Sequence, residues 1–261
     1  MPDEPGLAVI TGAARGIGAA VSEGLAAEGW SLLLIDACAA QPGIAYDMPT
    51  PADLDAVADR CAKAGATGVE VLSVDVASAE FVSGLARALA GRVSVAAIAA
   101  AGVIAGGPGW GTDEAVWSSL MNVNLHGTRR LAEATVPGMV QAGRGRFIAI
   151  ASAAALRAIP QLAAYSAAKA AVVGYVRALA GDLAGTGVSA NAICPGSTRG
   201  VMLAASAEVY DLNGEEDFAS QHLIRRLIEP REVANAVVWL CGPAASALTG
   251  AVLPVDGGLT A

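Results

Sequence analysis

Three side chains, Ser152, Tyr165 and Lys169, are of types that together can take the proton from an alcohol. Tyr165 and Lys169 are four residues apart, so on a helix they share one face and the ammonium can lie beside the phenol. A free phenol, with a pKa near ~10, is only about 0.1% ionised at neutral pH. A cation close by in a partly desolvated site favours the phenolate and makes tyrosine usable as a general base. Lowering a phenol's pKa by about three takes roughly 4 kcal/mol of differential stabilisation. Ser152, thirteen positions before Tyr165, closes an apolar run, where its hydroxyl can hold the reacting oxygen.

Residues 11–18 (TGAARGIG) follow the first apolar run and open the first helical pattern. Gly12, Gly16 and Gly18 allow a tight turn and close backbone approach to a pyrophosphate, with Arg15 and Ile17 on the same turn. The charge of that group is favoured at a helix N-terminus. The strand-turn-helix setting, more than the glycines alone, points to a dinucleotide. Asp36 ends the second apolar run, 18 positions after Gly18. A carboxylate there accepts hydrogen bonds from the adenosine ribose hydroxyls and repels a 2′-phosphate. Ala37, Cys38 and Ala39 offer that phosphate no cation, and Asp36 opposes Arg15, so NAD is expected rather than NADP.

These residues need elements to hold them. Short apolar runs alternate with helical patterns along the chain, as in a parallel sheet covered by helices on both faces. Strands are expected at 7–11, 31–36, 68–75, 93–100, 145–151, 188–194 and 251–255. Helices are expected at 16–28, 51–64, 79–90, 113–142, 163–185 and 230–241. The pattern predicts an α/β fold, a single-domain Rossmann-type doubly wound parallel sheet of about seven strands over residues 1–261. Residues 93–100 are largely apolar, as a strand buried on both faces should be.

Two segments break the alternation. Residues 37–50 (ACAAQPGIAYDMPT) lack helical periodicity and end in Thr50 and Pro51, an N-cap followed by a first-turn proline. Residues 197–227 mix polar and apolar side chains, among them Met202, Leu203, Tyr210, Phe218 and His222. A long connection after a strand end in such a fold reads as a substrate lid.

Composition narrows the class. The 261 residues are 54% hydrophobic, much of it alanine, which suits closely packed helices and strands. A net charge of -8 argues against nucleic acid as a partner. The longest nearly uncharged apolar stretch, 93–105, is too short to cross a bilayer, so no membrane is expected. The start, Met1-Pro2-Asp3-Glu4-Pro5, is acidic and lacks a basic leader, so a cytoplasmic protein is expected. Cys38, Cys61, Cys194 and Cys241 are scattered and read as small apolar residues, and His126 and His222 are the only histidines. Neither a disulfide framework nor a metal site is expected.

Taken together, these motifs resemble the short-chain dehydrogenases/reductases over essentially the whole chain. The matches are the 11–18 loop, Val74-Asp75-Val76, Asn122-Val123-Asn124-Leu125, Ser152, Tyr165-Ser166-Ala167-Ala168-Lys169, Asn191-Ala192-Ile193-Cys194-Pro195-Gly196 and Asp256-Gly257-Gly258. The resemblance implies that Tyr165 is the catalytic base and that Ser152 hydrogen-bonds the reacting oxygen. It implies a water-linked proton path from Asn124 to Lys169, with Lys169 also on the nicotinamide ribose. Asp75 would hold the adenine amino group with Val76 nearby, and Ala101 and Gly102 would border the cofactor. Pro195, Gly196, Ser197 and Thr198 would meet its nicotinamide end.

Two departures stand out. Ala99-Ala100-Ala101-Gly102 stands where the family commonly reads Asn-Asn-Ala-Gly, which removes side-chain hydrogen bonds that tie the central strands. Gly200 stands where many members have threonine, which leaves Ser197 or Thr198 to cap the carboxamide. A narrower likeness, to the mycofactocin-coupled subgroup with its carveol dehydrogenase-like members, rests on the 37–50 insertion. IAAAGVIAG (98–106), PGSTR (195–199) and WLCGPAA (239–245) support it. In that subgroup the insertion covers NAD so that it does not exchange freely, and electrons pass to a peptide-derived carrier. The plainer alternative is a surface insertion on an ordinary NAD enzyme.

The reaction these readings imply is NAD-dependent interconversion of a hydrophobic secondary alcohol and its ketone. Val103, Ile104, Leu156, Ile159 and residues 202–218 would wall the substrate, with no arginine cluster to grip a phosphate or carboxylate. Trp110, in a glycine-rich loop, would be a rim residue or a contact between copies. Related enzymes pair helices such as 113–142 and 163–185 into homotetramers. The alternatives are a ketoreductase with freely exchanging NAD(H) and a non-catalytic NAD-binding regulator. The complete set Asn124, Ser152, Tyr165 and Lys169 opposes the second.

Overall fold

A computed structural model describes residues 6–261, so the acidic start lies outside the described residues. Seven strands form one parallel sheet in the order β3-β2-β1-β4-β5-β6-β7. They are β1 (Leu7–Thr11), β2 (Ser31–Asp36), β3 (Gly68–Ser73), β4 (Ser94–Ala99), β5 (Gly145–Ile150), β6 (Val188–Pro195) and β7 (Val252–Val255). Each falls on an expected apolar run. The third ends short of Asp75, whose carboxylate instead accepts from Ala77 N at 2.8 Å and turns the chain.

Both faces of the sheet are covered, and alternate strand residues feed two cores. Ala8, Ile10, Leu32 and Leu34 pack with Val21 and Leu25 of α1 (Gly16–Ala27), Leu54 and Val57 of α2 (Pro51–Ala64), and Val233 and Val237 of α8 (Pro230–Cys241). Leu7, Val9, Leu33 and Phe147 pack on the other side with α3 (Phe81–Leu89), α5 (Gly127–Ala142) and α6 (Ala163–Asp182). Each large side chain so buried contributes about 1.5–3 kcal/mol. Thr50 caps α2 as expected: its hydroxyl accepts from Asp53 N, and the Asp53 carboxylate accepts from Thr50 N at 2.8 Å.

The helix expected over 113–142 is three pieces. α4 (Glu114–Leu120) leads into a widened π turn, Met121–His126, in which Gly127 N donates to Asn122 O, and α5 follows. The extra residue re-aims Asn124 inward, where it is fully buried.

Strand order reverses between β1 and β4, and the crevice beyond their carboxyl ends is where such folds bind ligands. There Thr11 supplies the tie that Ala99 and Ala100 cannot: its hydroxyl donates to Ile98 O at 3.4 Å and accepts from Ala101 N at 3.3 Å. No helix among the described residues is long and apolar enough to cross a membrane. All four cysteines are free thiols, and Cys38 alone of them is partly exposed.

Candidate active site

A cavity of about 700 Å³ runs across the carboxyl ends of the strands. Every expected catalytic and cofactor-binding residue borders it except Asn124, which stands just behind its wall. Nothing in the spacing alone could show that these seventeen residues share one continuous space; the parallel topology brings them to the same sheet edge.

At the nucleotide end, the backbone has been cleared of side chains. A Cβ on Gly12 (φ +68°) would stand 2.6 Å from Ala101 N, and one on Gly18 would stand 2.1 Å from Gly12 O. Gly16 also has a left-handed φ of +57°, but faces open space. Asp36 ends β2 with its carboxylate fixed by Ala14 N at 3.1 Å and Cys38 N at 3.2 Å. This cradle at the start of α1, with an anchored carboxylate at its edge, fits the pyrophosphate and adenosine ribose of NAD.

The insertion lies across this groove and is fastened to both banks. Gln41 Nε2 donates to Asp75 Oδ2 at 2.8 Å, and Ser119 Oγ donates to Pro42 O at 2.7 Å. Ile104 N donates to the Tyr46 hydroxyl at 3.0 Å. Arg15 donates to Asp47 O at 2.6 Å and lies 5.7 Å from the Tyr46 ring centroid. Arg15, expected on the cofactor, therefore borders the cavity but spends its guanidinium on the insertion. Gln41, Met48 and Pro49 join the lining. All three lie in the 37–50 segment, whose aperiodic sequence marks none of them singly.

At the other end Tyr165, on the first turn of α6, is buried beside Ser152. Ser152 Oγ accepts from Ala154 N at 3.1 Å, which fixes the hydroxyl after β5. Burial pushes the Tyr165 phenol up to about 12, against a hydrogen bond with Ser152 that favours the phenolate. Burial likewise pulls Lys169 down to about 8. The Lys169 ammonium lies 5.8 Å from the Tyr165 ring centroid and donates to Ile150 O at 2.8 Å.

Asn124 staples the wall. Its Nδ2 donates to Val103 O and Leu120 O, both at 2.9 Å, and its Oδ1 accepts from Val103 N at 3.3 Å. A Cβ on Gly102 would stand 2.9 Å from Asn124 Oδ1 and 3.4 Å from Lys169 Nζ, so the two groups border one point.

The substrate side is mostly apolar: Val103, Ile104, Ile159, Leu162, Met202, Leu203 and Phe218. Leu156 does not join them; it is 41% exposed. The connection 197–227 contains α7 (Val201–Val209) and a 3₁₀ segment, Glu215–Gln221. Its Tyr210 packs edge-on against Phe218 at 5.9 Å and donates to Pro160 O at 2.5 Å, closing one side. Gly200, at φ +143°, starts α7 in a conformation threonine would resist. Two arginines reach the lining on this side. Arg199 is consumed by Glu215, Glu216 and Glu229, and Arg157 donates to Leu259 O at 2.8 Å. Trp110 is 94% exposed and does not border the cavity.

The chain matches the family model described as enoyl-(acyl carrier protein) reductase over residues 12–260. It is 32% identical to 2-(S)-hydroxypropyl-CoM dehydrogenase 3 of Xanthobacter autotrophicus, across 97% of this chain and 95% of that protein. Among solved structures, carveol dehydrogenase from Mycobacterium avium in complex with NAD superposes with a TM-score of 0.91 at 29% identity, across 97% of this chain and 96% of that one. A short chain dehydrogenase from Mycobacterium paratuberculosis bound to NAD gives 0.90 at 28% identity, across 100% and 99%. Motifs, sheet order and these likenesses agree: the chain belongs to the short-chain dehydrogenase/reductase family and is an NAD-dependent oxidoreductase.

Proposed function

We propose that this enzyme oxidises a hydrophobic secondary alcohol to its ketone, or the reverse, with a retained NAD whose electrons leave through mycofactocin. The observation that carries the reaction class is the Tyr165 phenol, buried beside Ser152 where the nucleotide groove meets an apolar cavity. Bound NAD supplies a hydride acceptor at its nicotinamide ring. The remaining tasks fall to the chain. Ser152 and Tyr165 hold the alcohol oxygen, and Tyr165 takes its proton. Lys169, while charged, favours the phenolate, and Asn124 holds the wall at Val103 and begins a water-linked proton path to Lys169. Asp36 takes the adenosine ribose hydroxyls, Asp75 and Val76 the adenine, and residues 195–198 the nicotinamide end.

Retention is supported by the four fastenings of the insertion across the groove and by the likeness to carveol dehydrogenase. The apolar lining supports a hydrophobic substrate, since Arg199 is already neutralised by carboxylates. Assembly through α5 and α6 into a cytoplasmic homotetramer belongs to the same reading, by analogy with related enzymes.

Tyr165→Phe lowers alcohol oxidation by about a thousandfold while NAD stays bound. Near-wild-type activity in that variant refutes the assignment. External NADH and ketone give a single turnover without a carrier; sustained turnover instead places the enzyme among ketoreductases with freely exchanging NAD(H).

A further inference from the structure

We infer that His222 is a positioning residue for the nicotinamide end of the cofactor, acting through the backbone of Ser197. The inference rests on the reading that residues 195–198 receive the nicotinamide. His222 lies outside the cavity lining, only 1% exposed, at the end of the lid connection.

Its ring makes two hydrogen bonds, and together they fix its state. Nδ1 stands 2.8 Å from Arg226 O, a carbonyl that only accepts, so Nδ1 carries the proton. Nε2 then keeps a lone pair, which accepts from Ser197 N at 3.1 Å. The imidazole is thus a neutral bridge between the lid's end and the strand end that faces the site.

The fit around this bridge is close. A Cβ on Gly196 would stand 2.9 Å from His222 Nε2 and 2.9 Å from Asp256 Cα, so the chain threads between the ring and the turn after β7. Other backbone bonds complete the frame: Gly196 N to Val255 O at 3.1 Å, Ile228 N to Ser197 O at 3.1 Å, and Arg199 N to Ile228 O at 2.9 Å. The Thr198 hydroxyl adds a bond to Gly196 O at 3.1 Å, and His222 supplies the side-chain acceptor that holds the Ser197 N–H. Without it, a backbone donor beside the nicotinamide position loses its partner, and the segment has reason to shift.

ADP-ribose, which lacks nicotinamide, separates positioning from general loosening. Binding of NAD and of ADP-ribose is measured by calorimetry on stripped wild type, His222→Phe, His222→Asn and His222→Gln. Wild type binds NAD more tightly than ADP-ribose. Phe removes both bonds, and Asn keeps a donor for Arg226 but is too short to reach Ser197. Both weaken NAD by about tenfold and leave ADP-ribose unchanged. Gln restores an acceptor for Ser197 and binds NAD within about twofold of wild type. If the Phe variant does not fold, the Asn and Gln pair decides.

Equal weakening of both ligands, no weakening of either, or a Gln variant no better than Asn overturns the proposal. A wild type that binds NAD no more tightly than ADP-ribose overturns the placement of nicotinamide at residues 195–198, and the proposal with it.

Discussion

The lysine beside the phenol has two energetic roles that oppose each other. As a charge it favours the phenolate, yet as a buried charge it costs stability. In the unfolded chain Lys169 keeps its proton up to the ordinary 10.5, but in the fold only to about 8. Between those values the unfolded chain binds more protons, so this group makes stability rise as pH climbs from 8 to 10.5. Below pH 8 the buried ammonium imposes its full cost, about 3 kcal/mol. Tyr165 acts in the opposite sense, but only from its ordinary 10.0 upward. Lys169→Met in cofactor-stripped protein therefore melts several degrees above wild type at pH 7, less what the lost bond to Ile150 contributed. Scanning calorimetry from pH 7 to 10 shows the advantage shrinking above pH 8. An advantage that does not change with pH would mean the ammonium is solvated after all.

Among the elements, the insertion is where local bonding can be tested most directly. The Tyr46 hydroxyl accepts from Ile104 N, next to Val103, which Asn124 holds. Tyr46→Phe removes that acceptor and leaves the N–H without it, a change worth about 1 kcal/mol. NAD release, followed by stopped-flow fluorescence, speeds up about fivefold, while the oxidation step in a single turnover is unchanged. An unaltered release rate would reduce the insertion to surface ornament. How far these elements were legible depended on what held each one. The five inner strands read from their apolar runs because burial on both faces favours apolar residues, whereas the edge strands β3 and β7 are half-buried or exposed. The π turn was hidden because one added residue barely disturbs a helical pattern. α7 (VMLAASAEV) was missed because it has no polar stripe: it roofs a cavity instead of separating core from water. Gln41 and Arg157 gave no signal, since their partners, Asp75 and Leu259, are distant in sequence. Thr11 lies within the 11–18 motif, but its tie to β4 leaves no mark in the spacing.

For the whole molecule, the question is how a chain of net charge -8 holds an anionic dinucleotide. Arg15, the cation nearest the glycine turn, is bonded to the insertion, so the pyrophosphate must rely on backbone amides and the N-terminus of α1. Attraction at long range is weak, and selectivity falls to local geometry at Asp36. That carboxylate is buried and tied to Ala14 and Cys38, so it cannot swing aside for a 2′-phosphate. A ligand that binds only the folded chain stabilises it by about 2.7 kcal/mol at a hundredfold excess over Kd. At roughly 2–4 °C per kcal/mol for a chain of this size, NAD raises the melting temperature of stripped protein by roughly 5–10 °C. NADP at the same concentration gives a shift of about zero, because the phosphate would bring like charge against a fixed carboxylate. Asp36→Ser removes the repulsion and the ribose contact together, so the NAD shift falls and an NADP shift appears. Equal shifts with both cofactors in wild type would show that the groove reads the pyrophosphate alone, and that Asp36 is only a strand-end carboxylate.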